Sequence, residues 1–160
     1  MAKGKIFFTI IAGVMVLSGS AVVLSHCEIP CGIYDDEMRL DMMAEHATTI
    51  EKGIRQIQML TGAEDKNHNQ IVRWVMNKEH HADALSDIVT EYFMKQRIKP
   101  ATEGRGRAYE QYVHKLTLLH AMMVDSMKCK QTTNLQHVEN LRAHLSAFRK
   151  AYMDEHGHEH

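Results

Sequence analysis

The chain has 160 residues, which is long enough for one domain with a substantial core and too short for two ordinary ones. Its formal net charge is −1, and no basic run with interleaved aromatic residues occurs, so nucleic acid is not an expected partner. The composition therefore predicts a single domain that acts on something other than a polyanion.

Residues 1–25 have the pattern of an export signal. Two lysines precede an apolar run over residues 6–17, and small residues follow in "SGSAVVLS". The pattern predicts that a processing peptidase cuts after Ser25, leaving His26 as the first residue of a periplasmic or secreted chain with no stable membrane association. A cytoplasmic location and a retained membrane anchor are the alternatives. The anchor is disfavoured because the run is shorter than the roughly 20 residues that span a bilayer.

The segment "HCEIPCGIY" at residues 26–34 concentrates metal-binding groups behind this leader. Cleavage would expose the amine and imidazole of His26, next to the backbone nitrogen and thiolate of Cys27 and the thiolate of Cys31. The amine, the backbone nitrogen and the two sulfurs can surround one ion in a plane, with the imidazole at an axial position. Nickel(II) and copper(II) favour such a planar set, whereas structural zinc prefers four side-chain ligands in a tetrahedron. A nickel or copper site is therefore indicated.

The same nine residues resemble the N-terminal nickel hook of the nickel superoxide dismutases, His-Cys-x-x-Pro-Cys-Gly-x-Tyr. Every fixed position is matched, by His26, Cys27, Pro30, Cys31, Gly32 and Tyr34. The resemblance implies disproportionation of superoxide to oxygen and hydrogen peroxide, with one nickel per subunit cycling between the divalent and trivalent states. It implies His26, Cys27 and Cys31 as metal ligands, and Tyr34 as the catalytic residue that orders water at the open face. It also implies a small four-helix subunit that assembles as a homohexamer.

Glu28 stands where the family often has an aspartate, so an acidic group is kept with one more methylene. Candidate groups around the hook are Asp41 and Glu45, which could accept a hydrogen bond from the His26 imidazole, and Arg73, which could attract an anion. Ordinary solvated charges are the simpler interpretation of all three.

Apolar residues recur at helical spacing in four segments beyond the hook. The first starts at Asp35 or Asp36 and ends near Gly62, and the second ends before Pro100. The third covers about 108–128, and the fourth starts at Thr132 or Thr133. Short connections between helices of this length predict an all-α, antiparallel four-helix bundle over residues 35–153, with an irregular N-terminal metal-binding hook and a disordered, His-rich tail at 154–160.

The predicted core faces follow from the same spacing. They are Met38, Met42, His46, Ile50, Ile54 and Ile57 on the first helix; Ile71, Val75, Ala82, Leu85, Val89 and Tyr92 on the second; Tyr109, Tyr112, Leu116, Leu119, Met123 and Met127 on the third; and Leu135, Val138, Leu141, Leu145, Phe148 and Tyr152 on the fourth. Four of the 12 methionines fall on these faces at helical spacing, which favours core packing over a methionine copper site.

Three other functions compete with a dismutase. An exported nickel or copper carrier without turnover would use the same two cysteines, but it has no evident need for Tyr34 or for a ligand created by proteolysis. A thiol redox protein normally has a Cys-x-x-Cys pair at a helix start, which is missing. A di-iron oxidase needs Glu-x-x-His pairs, whereas Glu110 and His114 are four residues apart. Cys129 is expected to be a small, partly buried residue.

Overall fold

The computed structural model describes residues 34–156, and within that range it is a helical bundle without strands. The helices are α1 (Asp36–Gly62), α2 (His68–Asp87), α3 (Arg107–Gln131) and α4 (Leu135–His156), and a π-helix (Ile88–Arg97) continues α2. Helix α1 packs against α2 and α4, and α3 packs against the same two helices. Short loops between sequential neighbours require antiparallel packing. The predicted all-α four-helix bundle is confirmed, while the leader at 1–25 and the hook up to residue 33 lie outside the described residues.

Polar side chains start three of the helices. Asp35 Oδ1 accepts a hydrogen bond from the Met38 backbone nitrogen at 2.9 Å and caps α1. Asn67 caps α2 in the same way. Asn134 Oδ1 accepts from the backbone nitrogen of Gln136 at 3.0 Å, so α4 begins two or three residues after the start predicted at Thr132 or Thr133.

The core contains side chains from all four helices. On α4 the predicted face is buried except for Leu135, which is half-buried, and the central part of the α1 face is confirmed as well. At the first turn of α1 the prediction is wrong, since Met38 is exposed. The largest fully buried side chains are Tyr152, Phe93, Phe148, Leu40, Met43, Ile50, Ile54, Leu85, Leu119, Met122, Leu141 and Val89.

On α3 the predicted apolar face is rotated from the buried one. Tyr109 and Met127 are exposed, and the residues that are buried instead are Lys115, Leu118, Met122, Asp125, Ser126 and Cys129. Polar side chains on this face are buried together with hydrogen-bond partners from other helices. The Asp125 carboxylate lies 2.7 Å from Nδ1 of His144, and Ser126 Oγ donates to a backbone carbonyl of α2 at 2.7 Å. The hydrophobic pattern alone does not indicate such pairings.

The buried side chain of Lys78 joins α2 to the end of α3. Lys78 Nζ donates to the backbone oxygens of Cys129 at 2.5 Å and Lys130 at 2.6 Å, which lie in a last turn that lacks intrahelical donors. Gly53 on α1 faces this lysine, because a Cβ at that glycine would lie 3.1 Å from Lys78 Cβ. The glycine therefore allows α1 and α2 to approach closely at this point.

Helix α4 continues to His156, which is three residues into the segment predicted as a disordered tail. Residues 157–160 lie outside the described part of the chain. None of the described helices combines the length and the hydropathy needed to span a lipid bilayer.

Candidate metal centre

The predicted ligands His26, Cys27 and Cys31 lie outside the described residues, so their geometry stays a prediction. Tyr34, the predicted catalytic residue, is the first residue that the structure describes, and 41% of it is exposed. This partial exposure is compatible with a residue that orders solvent.

The third cysteine is unsuited to a metal site. Cys129 is fully buried on α3. Burial raises the pKa of its thiol to about 11, and the neighbouring Asp125 adds to this effect more than Lys78 offsets it. Because the thiolate is the form that binds metals, Cys129 is a protonated core residue at neutral pH. Between residues 34 and 156, no group of three or more His, Cys, Asp and Glu side chains is placed to hold a metal ion.

The first turn of α1, which directly follows the hook in the chain, is fixed by a carboxylate. Asp36 accepts hydrogen bonds from Tyr92 OH at 2.6 Å, Tyr152 OH at 2.8 Å, and the Arg97 guanidinium at 2.6 and 2.8 Å. We call these four residues the Asp36 cluster. A fifth side chain, Arg39, places its guanidinium carbon 5.1 Å from the centre of the Tyr92 ring. The cluster connects the start of α1 to the ends of the π-helix and α4.

The electrostatics of the Asp36 cluster keep every member in its usual charge state. Burial opposes ionisation of Asp36, but hydrogen bonds from Arg97, Tyr92 and Tyr152 outweigh burial and lower the pKa of the carboxyl. Burial and the same carboxylate raise the pKa of both tyrosines above the usual value. The carboxylate also raises the pKa of Arg97. Both tyrosine hydroxyls therefore remain donors at physiological pH.

The π-helix explains how one helix supplies two partners to Asp36. Tyr92 and Arg97 are five residues apart, and in an α-helix such residues point about 140° away from each other. Hydrogen bonds in a π-helix join residues five apart, which places them on the same face. At the C-terminal end the backbone nitrogen of Ile98 accordingly donates to Phe93 O at 2.8 Å. Over Ile88–Arg97 the unusual winding turns both side chains towards α1.

The comparison with protein families identifies the chain. A model of the family described as nickel-containing superoxide dismutase matches residues 21–156, a range that includes the hook segment and all four helices. The chain belongs to the nickel-containing superoxide dismutase family. This dismutase is thus an oxidoreductase whose cofactor is nickel, as the resemblance of the hook implied. No curated protein and no solved structure matches the chain.

The donors in the hook fit nickel chemically. Imidazole suits nickel, and two thiolates add the strongly donating sulfurs that a planar nitrogen and sulfur site uses. His26, Cys27 and Cys31 supply this set within six residues of the sequence. Because the chain belongs to an enzyme family, the match favours a dismutase over the alternative of a carrier without turnover.

The charged candidates around the hook all lie at the protein surface. Asp41 is exposed and forms an ion pair with Arg149, and Glu45 and Arg73 are exposed as well. Surface pairs of this kind contribute little to stability. His26 lies outside the described residues, so the roles of Asp41, Glu45 and Arg73 beside it stay predictions.

The sequence interpretation missed the Asp36 cluster. It treated Asp35 and Asp36 as equivalent candidates for the α1 cap, whereas Asp35 is the cap and Asp36 points to the other helices. A helix start needs only one capping residue, so the second acidic residue at the start of α1 was the available signal of another role. Arg97 gave no signal, because only π-winding places it beside Tyr92.

Proposed function

We propose that the mature dismutase begins at His26 and binds one nickel ion through five donor groups. These are the amine and imidazole of His26, the backbone nitrogen and sulfur of Cys27, and the sulfur of Cys31. The observation that carries the proposal is the family match over residues 21–156, because that range contains the complete nine-residue hook pattern. The burial and protonation of Cys129 support it, since they leave Cys27 and Cys31 as the candidate thiolates.

The proposed reaction converts two superoxide anions and two protons into one molecule of oxygen and one of hydrogen peroxide. Nickel supplies the one-electron chemistry, and two anionic sulfurs with a deprotonated amide stabilise its oxidised state. Tyr34 orders water at the open face through its hydroxyl and limits which molecules approach. The exposure of Tyr34 agrees with this role, since the protons that peroxide requires come from solvent.

Proteolysis is a chemical requirement in this proposal. The His26 amine is a ligand only when the peptide bond before it is cut, because in the uncut chain that nitrogen is part of a peptide bond and is no longer an amine. We further propose that residues 1–25 direct export to the periplasm or the medium and that a processing peptidase removes them. Assembly of the mature chain into a homohexamer completes the proposal.

A comparison of two purified chains tests the role of the free amine. One chain starts at His26, and the other retains Ser25 as a single extra residue. We expect both to show the same helical circular dichroism, while only the chain that starts at His26 removes superoxide in a stopped-flow assay. Full activity of the chain that retains Ser25 would show that the His26 amine is not a ligand.

A further inference from the structure

Two histidines on adjacent helices form an unusual direct contact. His46 on α1 and His81 on α2 are both half-buried, and their Nδ1 atoms lie 2.9 Å apart. The ring centroids are 5.1 Å apart with the planes tilted by 52°. A third histidine, His80, has its ring centroid 5.4 Å from that of His81. We call His46 and His81 the interhelical histidine pair.

The surroundings of the interhelical histidine pair disfavour the protonated, charged form of both rings. Burial lowers the pKa of His46 and of His81, and mutual repulsion with the other imidazoles lowers each further. Glu45 acts in the opposite direction on both rings but does not outweigh these effects. The lowered pKa values favour neutral rings, in which one Nδ1–H donates to the Nδ1 of the other ring. A metal ion could bind both Nδ1 atoms once the donor ring carries its proton on Nε2 instead.

The distance between the two nitrogens matches that of neighbouring ligands on one metal ion. Metal–nitrogen bonds of about 2.0 to 2.1 Å, at angles from 90° to the tetrahedral value, place two ligand nitrogens roughly 2.9 to 3.4 Å apart. The observed 2.9 Å between His46 and His81 lies at the short end of this range. Binding would require both rings to turn so that their Nδ1 lone pairs point at one ion.

We propose that the interhelical histidine pair binds a second divalent cation of the zinc, copper and nickel class, separate from the nickel of the hook. Imidazole nitrogen suits these ions. In residues 34–156 no three candidate ligands already converge, so His46 and His81 are the protein ligands and water fills the remaining positions. Glu45 is exposed and lies on α1 next to His46, where its carboxylate offsets part of the charge of the ion.

The bound cation would join α1 to α2. An ion that binds only the folded chain stabilises it and so raises the unfolding temperature. Above the dissociation constant, the stabilisation grows with the logarithm of the ion concentration. Because the ligands must be unprotonated, acid should weaken binding. The site therefore acts as a metal-dependent clamp between two helices.

The test uses the complete, processed protein with nickel already in the hook, titrated with Zn²⁺ alone. Zinc is redox-inert, so its binding adds no one-electron chemistry to the sample. We expect Zn²⁺ to shift the imidazole ¹⁵N resonances of His46 and His81 at pH 7.5 and to raise the unfolding temperature by several degrees. Binding should be at least about tenfold weaker at pH 5.5, where protons compete for the ligands.

Matched variants separate this site from the other histidines. His46→Gln and His81→Gln should each abolish the rise in unfolding temperature, whereas His120→Gln, on the exposed face of α3, should keep it. Replacing His156, His158 and His160 together by Gln should also leave the rise unchanged. Zinc that binds His81→Gln as tightly as the unchanged protein, or that leaves the resonances of the pair unmoved at saturation, would overturn the proposal. The resonances are read on the unchanged protein, so this outcome stands even if a variant misfolds.

Discussion

Asp36 is stabilised by side chains from the π-helix and α4. It accepts bonds from two tyrosines and an arginine, and only 17% of its side chain is exposed. A carboxylate in that position is stabilised by charge-assisted hydrogen bonds, which are roughly twice as strong as neutral ones. These bonds fix the first turn of α1, which follows Tyr34 by two residues in the sequence.

Replacing Asp36 by Asn should therefore destabilise the fold. The variant leaves the Arg97 guanidinium without a counter-charge in a partly buried site, and we expect a loss of about 2 to 4 kcal/mol in the free energy of unfolding. Chemical denaturation measures the change. Asp35→Asn is the matched control, because asparagine caps a helix as well as aspartate does and should change the free energy by less than about 0.5 kcal/mol. Equal losses in the two variants would refute the assignment.

The same comparison depends on pH in a defined direction. The folded-state pKa of Asp36 is lower than its unfolded value, so its contribution is present above about pH 4 and is lost as pH falls further. The difference in unfolding free energy between the unchanged protein and Asp36→Asn should be constant from pH 5 to 7 and shrink below pH 4. A difference that grows in acid would contradict the lowered pKa.

The three cysteines should behave differently when replaced. Cys27→Ser and Cys31→Ser are each expected to eliminate nickel retention and catalysis, because serine does not supply a thiolate. Cys129→Ala, in the core, should keep the nickel. Tyr34→Phe should keep the nickel as well, since only a hydroxyl beside the metal is lost. Metal analysis after gel filtration decides each case, and a Tyr34→Phe protein without nickel would show that this residue has been misassigned.

Sequence alone predicted the helices better than it predicted their faces. Regular apolar spacing identified all four helices, and the face of α4 is largely correct because its buried residues are all apolar or aromatic. The face of α3 was missed because Lys115, Asp125 and Ser126 are buried. Burial of such residues depends on partners from other helices. The π-helix was missed for a related reason. The sequence of Ile88–Arg97 is also compatible with an α-helix, and the contacts of Tyr92 and Arg97 with Asp36 come from the fold.

Removing one residue from the π-helix tests its function in the fold. Deleting Thr90 should restore α-winding and turn Arg97 away from Asp36, since residues five apart then point about 140° from each other. We expect an unfolding temperature lowered by at least about 5 °C for a bundle of this size. Deleting Gly104, in the exposed loop before α3, is the control and should have little effect. A Thr90 deletion that is as stable as the control would show that the π-winding carries no energetic role.

The bundle as a whole exposes apolar side chains that its own core does not use. Val72 and Met76 lie one turn apart on α2, and Tyr109 and Val113 lie one turn apart on α3, all of them exposed in the single chain. Core packing accounts for only part of the methionines, since Met38, Met59, Met76, Met94 and Met127 are exposed. Exposed apolar stripes are typical of subunit interfaces, which agrees with the proposed homohexamer.

Charging one stripe should dissociate the proposed assembly. In Val72→Lys combined with Met76→Lys, the repelling charges would be desolvated at an interface, so light scattering should report a smaller species with unchanged helicity. Met127→Lys, at an exposed methionine on α3, is the matched control. If the double variant keeps the size of the unchanged protein, the α2 stripe lies outside the interface.

In the proposed function, a cut before His26 creates a nickel ligand and thereby the enzyme. The most direct test is the intact mass of the native, active protein, measured together with its metal content. We predict a chain that starts at His26, contains about one nickel ion and keeps Cys27 and Cys31 free of a disulfide. Fully active molecules that retain the leader, or that contain a lasting bond between the two sulfurs, would contradict the account.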